Sequence, residues 1–131
     1  MTSRGLRNNN PGNIRLSSQK FVGEINGTDK SFKTFKDMAY GYRALMKILL
    51  NYQRLYRLNT VRKIIGRWAP ENENDTRAYV NNVARGIGVE PDTLIDLRNR
   101  QTLCAFAAAI SKQENGVSAN LSDVEKGYEV L

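Results

Sequence analysis

The spacing of apolar residues predicts a domain built mostly from helices. Four stretches carry apolar side chains at helical spacing, and each begins at a residue whose side chain can cap a helix. Pro91 stands where a first helical turn favours proline and predicts a fifth, short helix. Ser122 and Glu125 also have the spacing of a capping box. The predicted helices run from Asp37 to about Tyr56, from Asn59 or Thr60 to Trp68, from Asn74 or Asp75 to about residue 87, from Pro91 to Leu97, from Asn99 to Asn115, and onward from Ser122.

The first 35 residues are polar and rich in turn-forming side chains. Residues 1–20 predict an ordered loop around the run Asn-Asn-Asn-Pro-Gly-Asn at positions 8–13. Segments 21–25 and 28–35 flank Asn26-Gly27, a pair typical of a two-residue turn between antiparallel strands. One small hairpin and about six helices predict a single α+β domain over residues 1–131, dominated by helix. That pattern alone does not fix a function.

The charge balance points to an anionic partner. Twenty Lys and Arg residues against 13 Asp and Glu give a formal net charge of +7, which suits nucleic acid, a membrane surface or the anionic bacterial envelope. The opening residues lack the apolar core of a secretory signal, and no run of about eighteen apolar residues predicts a membrane span. We therefore expect the protein to reach its target by lysis, by another secretion route or on a virus particle. We also expect it to be a monomer.

The absence of histidine removes several kinds of catalytic site. Ser-His-Asp and Cys-His mechanisms and histidine-ligated zinc are excluded, and no cofactor is expected. The lone Cys104 lies in an apolar run and is expected in the core. If the protein cuts a polymer, carboxylates must transfer the protons, which favours glycosidic over amide bonds.

One carboxylate continues an apolar helix face. Leu103, Ala107, Ile110 and Glu114 are four, three and four positions apart, so they project from one side of the helix that Gly116 ends. A carboxylate beside apolar groups loses hydration and keeps a proton available for donation. Spacing alone favours a Glu114 that merely caps the last turn or points into water, and the sequence around it changes that balance.

Two motifs resemble those of lysozyme-like enzymes and lytic transglycosylases. Residues 107–116 resemble the catalytic helix that ends in Glu-Ser-Gly in those enzymes, with Asn115 in place of the Ser. Residues 74–83 are similar to the motif Glu-Thr-Arg-x-Tyr-Val-x-x-Val, which places its cleft-lining tyrosine on Tyr79 and its Glu on Asp75.

The order of these motifs suggests a rearranged chain. Segments 9–15, 32–35 and 41–45 resemble virion-associated proteins of bacteriophages and prophages and, more loosely, bacterial glucosaminidases. The catalytic helix comes first in the wider superfamily and last in this chain. The resemblance therefore implies a lysozyme-like fold with a circular permutation, which chains tolerate when the joined ends lie at the surface.

The resemblance implies cleavage of peptidoglycan glycan strands, with Glu114 as general acid and then base. A second carboxylate would direct attack by water, as in lysozymes, and without one the 6-hydroxyl of N-acetylmuramic acid would attack. Glu24 and Asp29, expected to face each other across the hairpin, are the candidates for the second carboxylate, and Asp29 is also a candidate for binding substrate.

Further side chains are candidates for contact with the sugar. Asn10 and Asn13 would bind N-acetyl groups or cap their own loop. Tyr79 would bind a sugar or pack in the core. Trp68 and Tyr42 are expected in the core.

Two other functions fit the same sequence. A virion structural or peptidoglycan-binding protein would keep the fold without the chemistry, with other virion proteins as partners. A basic nucleic-acid-binding domain is supported by charge alone, and without a recognition-helix signature we expect no nucleic-acid partner. The charges that support it are Arg54, Arg57, Arg62, Lys63 and Arg67.

Overall fold

A computed structural model describes residues 2–70 and 75–131. Within these ranges the chain forms six helices and one two-stranded antiparallel sheet, which confirms the mostly helical α+β prediction. The helices are α1 Arg4–Arg7, α2 Met38–Tyr56, α3 Val61–Trp68, α4 Thr76–Ile87, α5 Arg100–Asn115 and α6 Leu121–Glu129, and the strands are β1 Glu24–Ile25 and β2 Thr34–Phe35.

Four helices begin at a predicted cap. In each of them the side chain of the capping residue accepts a hydrogen bond from the backbone N–H three residues later, which satisfies a donor that the first turn leaves open. The alternative start at Asn74 lies outside the described residues. Helices α4 and α5 end at Gly88 and Gly116, both in the left-handed conformation that glycine adopts without strain. The capping residues are Asp37, Thr60, Asp75 and Asn99.

The helix predicted from Pro91 to Leu97 does not form. The N–H of Ile95 donates to the carbonyl of Asn59, and the N–H of Leu97 donates to the side chain of Gln53. These donors bind other elements, so no helical ladder is available to the segment. Leu97 is nevertheless fully buried, because the non-helical segment still carries it into the core.

Two predicted boundaries near the ends of the chain were also wrong. Helix α1 lies inside the predicted N-terminal loop, with Ser3 as its N-cap. Helix α6 starts at Leu121 because Asn120, two residues before the expected Ser122, accepts from the N–H of Asp123. An earlier Asn with the right backbone angles outcompetes the capping-box serine.

The hairpin exists, but its turn is not at Asn26-Gly27. Glu24 pairs with Phe35 and Ile25 with Thr34, so residues 26–33 form a wide connection. Neither Asn26 nor Gly27 has the positive φ that the two-residue turn requires. The expected pairing of Glu24 with Asp29 across the strands was therefore wrong.

Two apolar clusters build the core. The larger joins α2, α3, α4, α5 and α6, and it includes the predicted α5 stripe of Leu103, Ala107 and Ile110 together with Cys104. The smaller attaches the sheet to α2 through Phe35. Half-buried Trp68 packs against both clusters and marks where they meet. In the described part of the chain, every helix is too short or too polar to cross a bilayer.

Candidate functional site

Glu114 is held by hydrogen bonds to both of its carboxylate oxygens. The phenol of Tyr79 donates to Oε2 over 2.8 Å, and Nδ2 of Asn13 donates to Oε1 over 3.0 Å. Glu114 lies in the last turn of α5, Tyr79 on α4 and Asn13 in the loop after α1, and the Glu114 side chain is half-buried. The structure thus brings together three of the predicted site residues from distant parts of the chain.

Tyr79 donates its hydrogen bond to Glu114 from a buried position in the core. Its ring is buried, and its hydroxyl also accepts a hydrogen bond of 3.0 Å from Nε1 of Trp68. Burial raises the pKa of the Tyr79 phenol far above its usual value, and the neighbouring Glu114 carboxylate raises it further. The phenol therefore remains a donor to Glu114.

The Asn-rich loop owes its shape to Asn10. This side chain is fully buried, donates to the carbonyls of Ile14 and Lys33, and accepts from the N–H of Ile14. Asn13 then takes the left-handed conformation, with φ of 50°, which short polar residues tolerate. The prediction that Asn10 binds N-acetyl groups does not fit this burial. Its side-chain hydrogen bonds are all made to the backbone, and they hold the loop that positions Asn13.

Asn115 joins the end of α5 to the N-terminal segment. Its Nδ2 donates to the Pro11 carbonyl over 2.9 Å, and its Oδ1 accepts from the Ser3 hydroxyl over 2.6 Å. Gly5 lies beside this junction, where a Cβ would come within 2.5 Å of Asn115 Oδ1 and 2.8 Å of Asn13 Oδ1. The loop bearing Asn13 is therefore fixed to the helix bearing Glu114.

A cavity of about 380 Å³ opens beside Glu114. Its volume falls within the ~300–1,000 Å³ of small-ligand sites. Aromatic rings from three segments form part of its wall, and Glu114 is the one carboxylate among the lining residues of the described chain. The lining residues are Gly12, Asn13, Ile14, Arg15, Phe32, Tyr52, Trp68, Ala69 and Glu114.

The structure does not bring Glu24 to this cavity. Its carboxylate forms a buried ion pair with Lys33 over 3.0 Å, and the two side chains are 4% and 0% exposed. Desolvation by burial opposes ionisation of Glu24, but hydrogen bonds from Lys33 and the backbone of Phe21 outweigh it and lower its pKa. Lys33 thus keeps Glu24 charged and engaged away from Glu114.

Asp29 is likewise occupied elsewhere. It accepts hydrogen bonds from Arg4, from Asn8 and from two backbone N–H groups of its own turn. The Arg4 guanidinium and these donors hold the pKa of Asp29 far below its usual range. It does not line the cavity, so neither hairpin carboxylate lies across from Glu114 in the way the sequence suggested.

The sequence missed several residues of the cavity wall. Trp68 was expected in the core, yet it is half-buried and lines the cavity while it supports Tyr79. Tyr52, Phe32 and Arg15 were not predicted as site residues, since their segments meet only in the folded chain. Arg15 and Phe32 do lie in the segments that resemble phage proteins. Tyr42 is buried as expected, with its hydroxyl bound to Ser111.

The comparison with known proteins identifies a family of bacteriophage proteins. The chain is 39% identical over 132 residues to Protein P5 of Pseudoalteromonas phage PM2, in an alignment that covers 97% of this chain and 81% of that protein. The chain belongs to the family of that phage protein, which confirms the phage part of the sequence resemblance. The relative's name states no activity. No family model matches the chain.

Proposed function

We propose that the protein cleaves the glycan strands of bacterial peptidoglycan, with Glu114 as general acid and base. The observation that carries the proposal is the placement of Glu114 at a cavity, with both oxygens held by Asn13 and Tyr79. A proton donor must be held at a fixed angle to the bond it cleaves. Two donors on one carboxylate restrict its rotation in this way.

The reaction follows from the residues around Glu114. Protonated Glu114 donates its proton to the leaving glycosidic oxygen as positive charge develops on the sugar ring. The resulting carboxylate then accepts a proton from the attacking group. Trp68 and Tyr52 offer aromatic surface against which the apolar face of a sugar can pack.

The product we propose is the anhydro sugar of lytic transglycosylases. Hydrolysis usually requires a second carboxylate within roughly 5–10 Å of the acid. Glu114 is the one carboxylate among the cavity-lining residues of segments 2–70 and 75–131. Attack by the 6-hydroxyl of N-acetylmuramic acid needs only Glu114, since this carboxylate accepts the proton of the attacking hydroxyl.

The fold we propose is a circularly permuted lysozyme-like domain carried with the virion. Strands β1 and β2, Asn13 and Tyr79 all precede helix α5, which carries Glu114. In the folded chain Asn13 and Tyr79 nevertheless contact Glu114. This convergence supports a shared arrangement with a different chain order. The phage relative supports an association with the virion.

The test compares wild type with Glu114→Gln and Glu90→Gln on purified sacculi, with the released sugars separated by mass. Glu90→Gln makes the same chemical change at an exposed residue outside the cavity. We expect wild type and Glu90→Gln to release anhydro-muropeptides, and Glu114→Gln to lose at least ~100-fold in rate. Cleavage retained by Glu114→Gln would remove the catalytic role, and sacculus binding without cleavage by wild type would identify a binding protein instead.

A further inference from the structure

Arg15 is a cation at the rim of the same cavity. Its side chain is exposed and lines the space that Glu114, Trp68 and Tyr52 also line. An isolated bridge between Arg15 and Phe32 fixes the backbone at this point. The backbone that carries Arg15 is therefore held against the segment that carries Phe32.

Two arginines use the ring of Phe32 in different ways. The Arg4 guanidinium lies 4.6 Å from the ring centre and also binds Asp29. The Arg15 guanidinium lies 5.5 Å from the same centre and forms no ion pair with any carboxylate of the described chain. The ring orients Arg15, while its charge and donors stay available to a ligand.

We infer that Arg15 binds a carboxylate carried by the glycan substrate and so selects acidic strands over neutral ones. The inference rests on the proposed function and names the substrate class of the same site. A guanidinium pairs with a carboxylate through its fixed fork of N–H donors, whereas the neutral hydroxyl and amide groups of a sugar offer it no opposite charge. Arg15 is the one charged lining residue of the described chain besides Glu114.

The carboxylate has two sources in peptidoglycan, namely the lactyl group of a muramic acid without its peptide, or the peptide itself. Three tetrasaccharide probes separate them: a neutral N-acetylglucosamine oligomer, a glycan with free lactyl groups and a glycan with peptide stems. Affinities are measured calorimetrically at low salt on the full chain with Glu114→Gln, so that the probes stay intact. All variants are built in this background.

The variants are Arg15→Gln, Arg15→Lys and the charge-matched control Arg85→Gln. Arg85 is an exposed cation that lines a separate groove between α4 and α5. We expect the Glu114→Gln protein that retains Arg15 to bind at least one acidic probe with an affinity roughly three- to tenfold higher than that for the neutral probe. Arg15→Gln abolishes this preference, Arg15→Lys keeps part of it and Arg85→Gln keeps all of it.

Each result decides for or against the assignment. A preference for the lactyl glycan or for the peptide glycan supports it and identifies the source. Equal affinity for all probes, no binding of any probe, or a preference that survives Arg15→Gln overturns it. Thermal unfolding of Arg15→Gln verifies the fold. Sacculus cleavage by wild type is scored separately, so the proposed function and the role of Arg15 can fail independently.

Discussion

The phenol of Tyr79 donates a 2.8 Å hydrogen bond to the Glu114 carboxylate, although the two residues are 35 positions apart. The same hydroxyl accepts a hydrogen bond from Nε1 of Trp68, so two consecutive hydrogen bonds link the indole in the cavity wall to the Glu114 carboxylate. The orientation of Glu114 therefore depends on a residue that is itself buried in the core.

Replacing Tyr79 with Phe tests this dependence. The change removes the donor to Glu114 and leaves the indole N–H of Trp68 without its acceptor. We expect stability to fall by about 1–3 kcal/mol in urea unfolding. The rate of sacculus cleavage should fall roughly tenfold or more, because Glu114 loses one of the two contacts that fix its orientation towards the bond it cleaves.

Tyr128→Phe is the matched control, because its hydroxyl forms no side-chain hydrogen bond within residues 2–70 and 75–131. Its ring packs under Arg100, away from the cavity. We expect this variant to cleave sacculi as wild type does. Full activity of Tyr79→Phe in a folded protein would show that the phenol does not position the acid.

Gly5→Ala should damage the site without touching the cavity. The new Cβ would lie within 2.8 Å of a backbone carbonyl, that of Asn10, as well as of the Asn13 and Asn115 side chains. We expect a loss of about 1–3 kcal/mol and lower activity, because Asn13 must move away from Glu114. Differential scanning calorimetry and the sacculus assay measure the two effects.

Gly66→Ala provides the opposite case. Gly66 is exposed within α3, and apart from its own stretch of helix no atom of the described residues lies within 4 Å of its added Cβ. Alanine is the better helix former, so we expect a gain of roughly 0.5–1 kcal/mol with unchanged cleavage. Equal effects at the two glycines would contradict the close packing of α1 on α5.

The ion pair of Glu24 and Lys33 predicts a pH dependence of stability. The pKa of Glu24 is lower in the folded chain than in the unfolded one, so the unfolded state binds more protons in acid. The contribution of Glu24 is present above its unfolded pKa and is lost as pH falls through its folded pKa. Chemical unfolding of wild type and Glu24→Gln between pH 7 and acid pH measures the difference.

We expect Glu24→Gln to cost about 3–5 kcal/mol at neutral pH, because it leaves the buried Lys33 ammonium without its counter-charge. Below the unfolded pKa the gap between the two proteins should narrow. Replacing both partners, as Glu24→Gln with Lys33→Met, should recover much of the loss. A gap that is constant with pH would rule out the ion pair as its source.

The chain has a single tryptophan, and Trp68 lines the cavity. Its fluorescence should therefore change when a glycan oligomer binds, and a titration with Glu114→Gln should give a saturable curve. The neutral sugar sucrose at matched concentration controls for bulk effects. No change with any glycan, despite binding seen by calorimetry, would place the ligand away from Trp68.

Local signals predicted the elements that depend on local contacts. The caps Asp37, Thr60 and Asn99 bond to N–H groups three residues away, and the apolar stripe of α5 follows from helical spacing. The predictions of a helix at Pro91 and of a turn at Asn26 were wrong, because hydrogen-bond partners distant in sequence determine the conformation of both segments. In the segment after Pro91, the N–H of Ile95 donates to the carbonyl of Asn59 instead of forming a helical bond. In the hairpin, the pairing of Glu24 with Phe35 leaves eight residues between the strands, which excludes a two-residue turn.

The sequence by itself determined the five longer helices, α2 to α6, the apolar face that ends at Glu114, and the exclusion of histidine chemistry. Only the tertiary structure decided which donors reach that carboxylate, which hairpin acids are tied up by Arg4 and Lys33, and which aromatic rings form the cavity wall. The physical reason is the distance along the chain over which each interaction acts. Capping and periodicity act within a few residues, whereas a polar group in a folded chain takes whichever partner packing brings within hydrogen-bond distance.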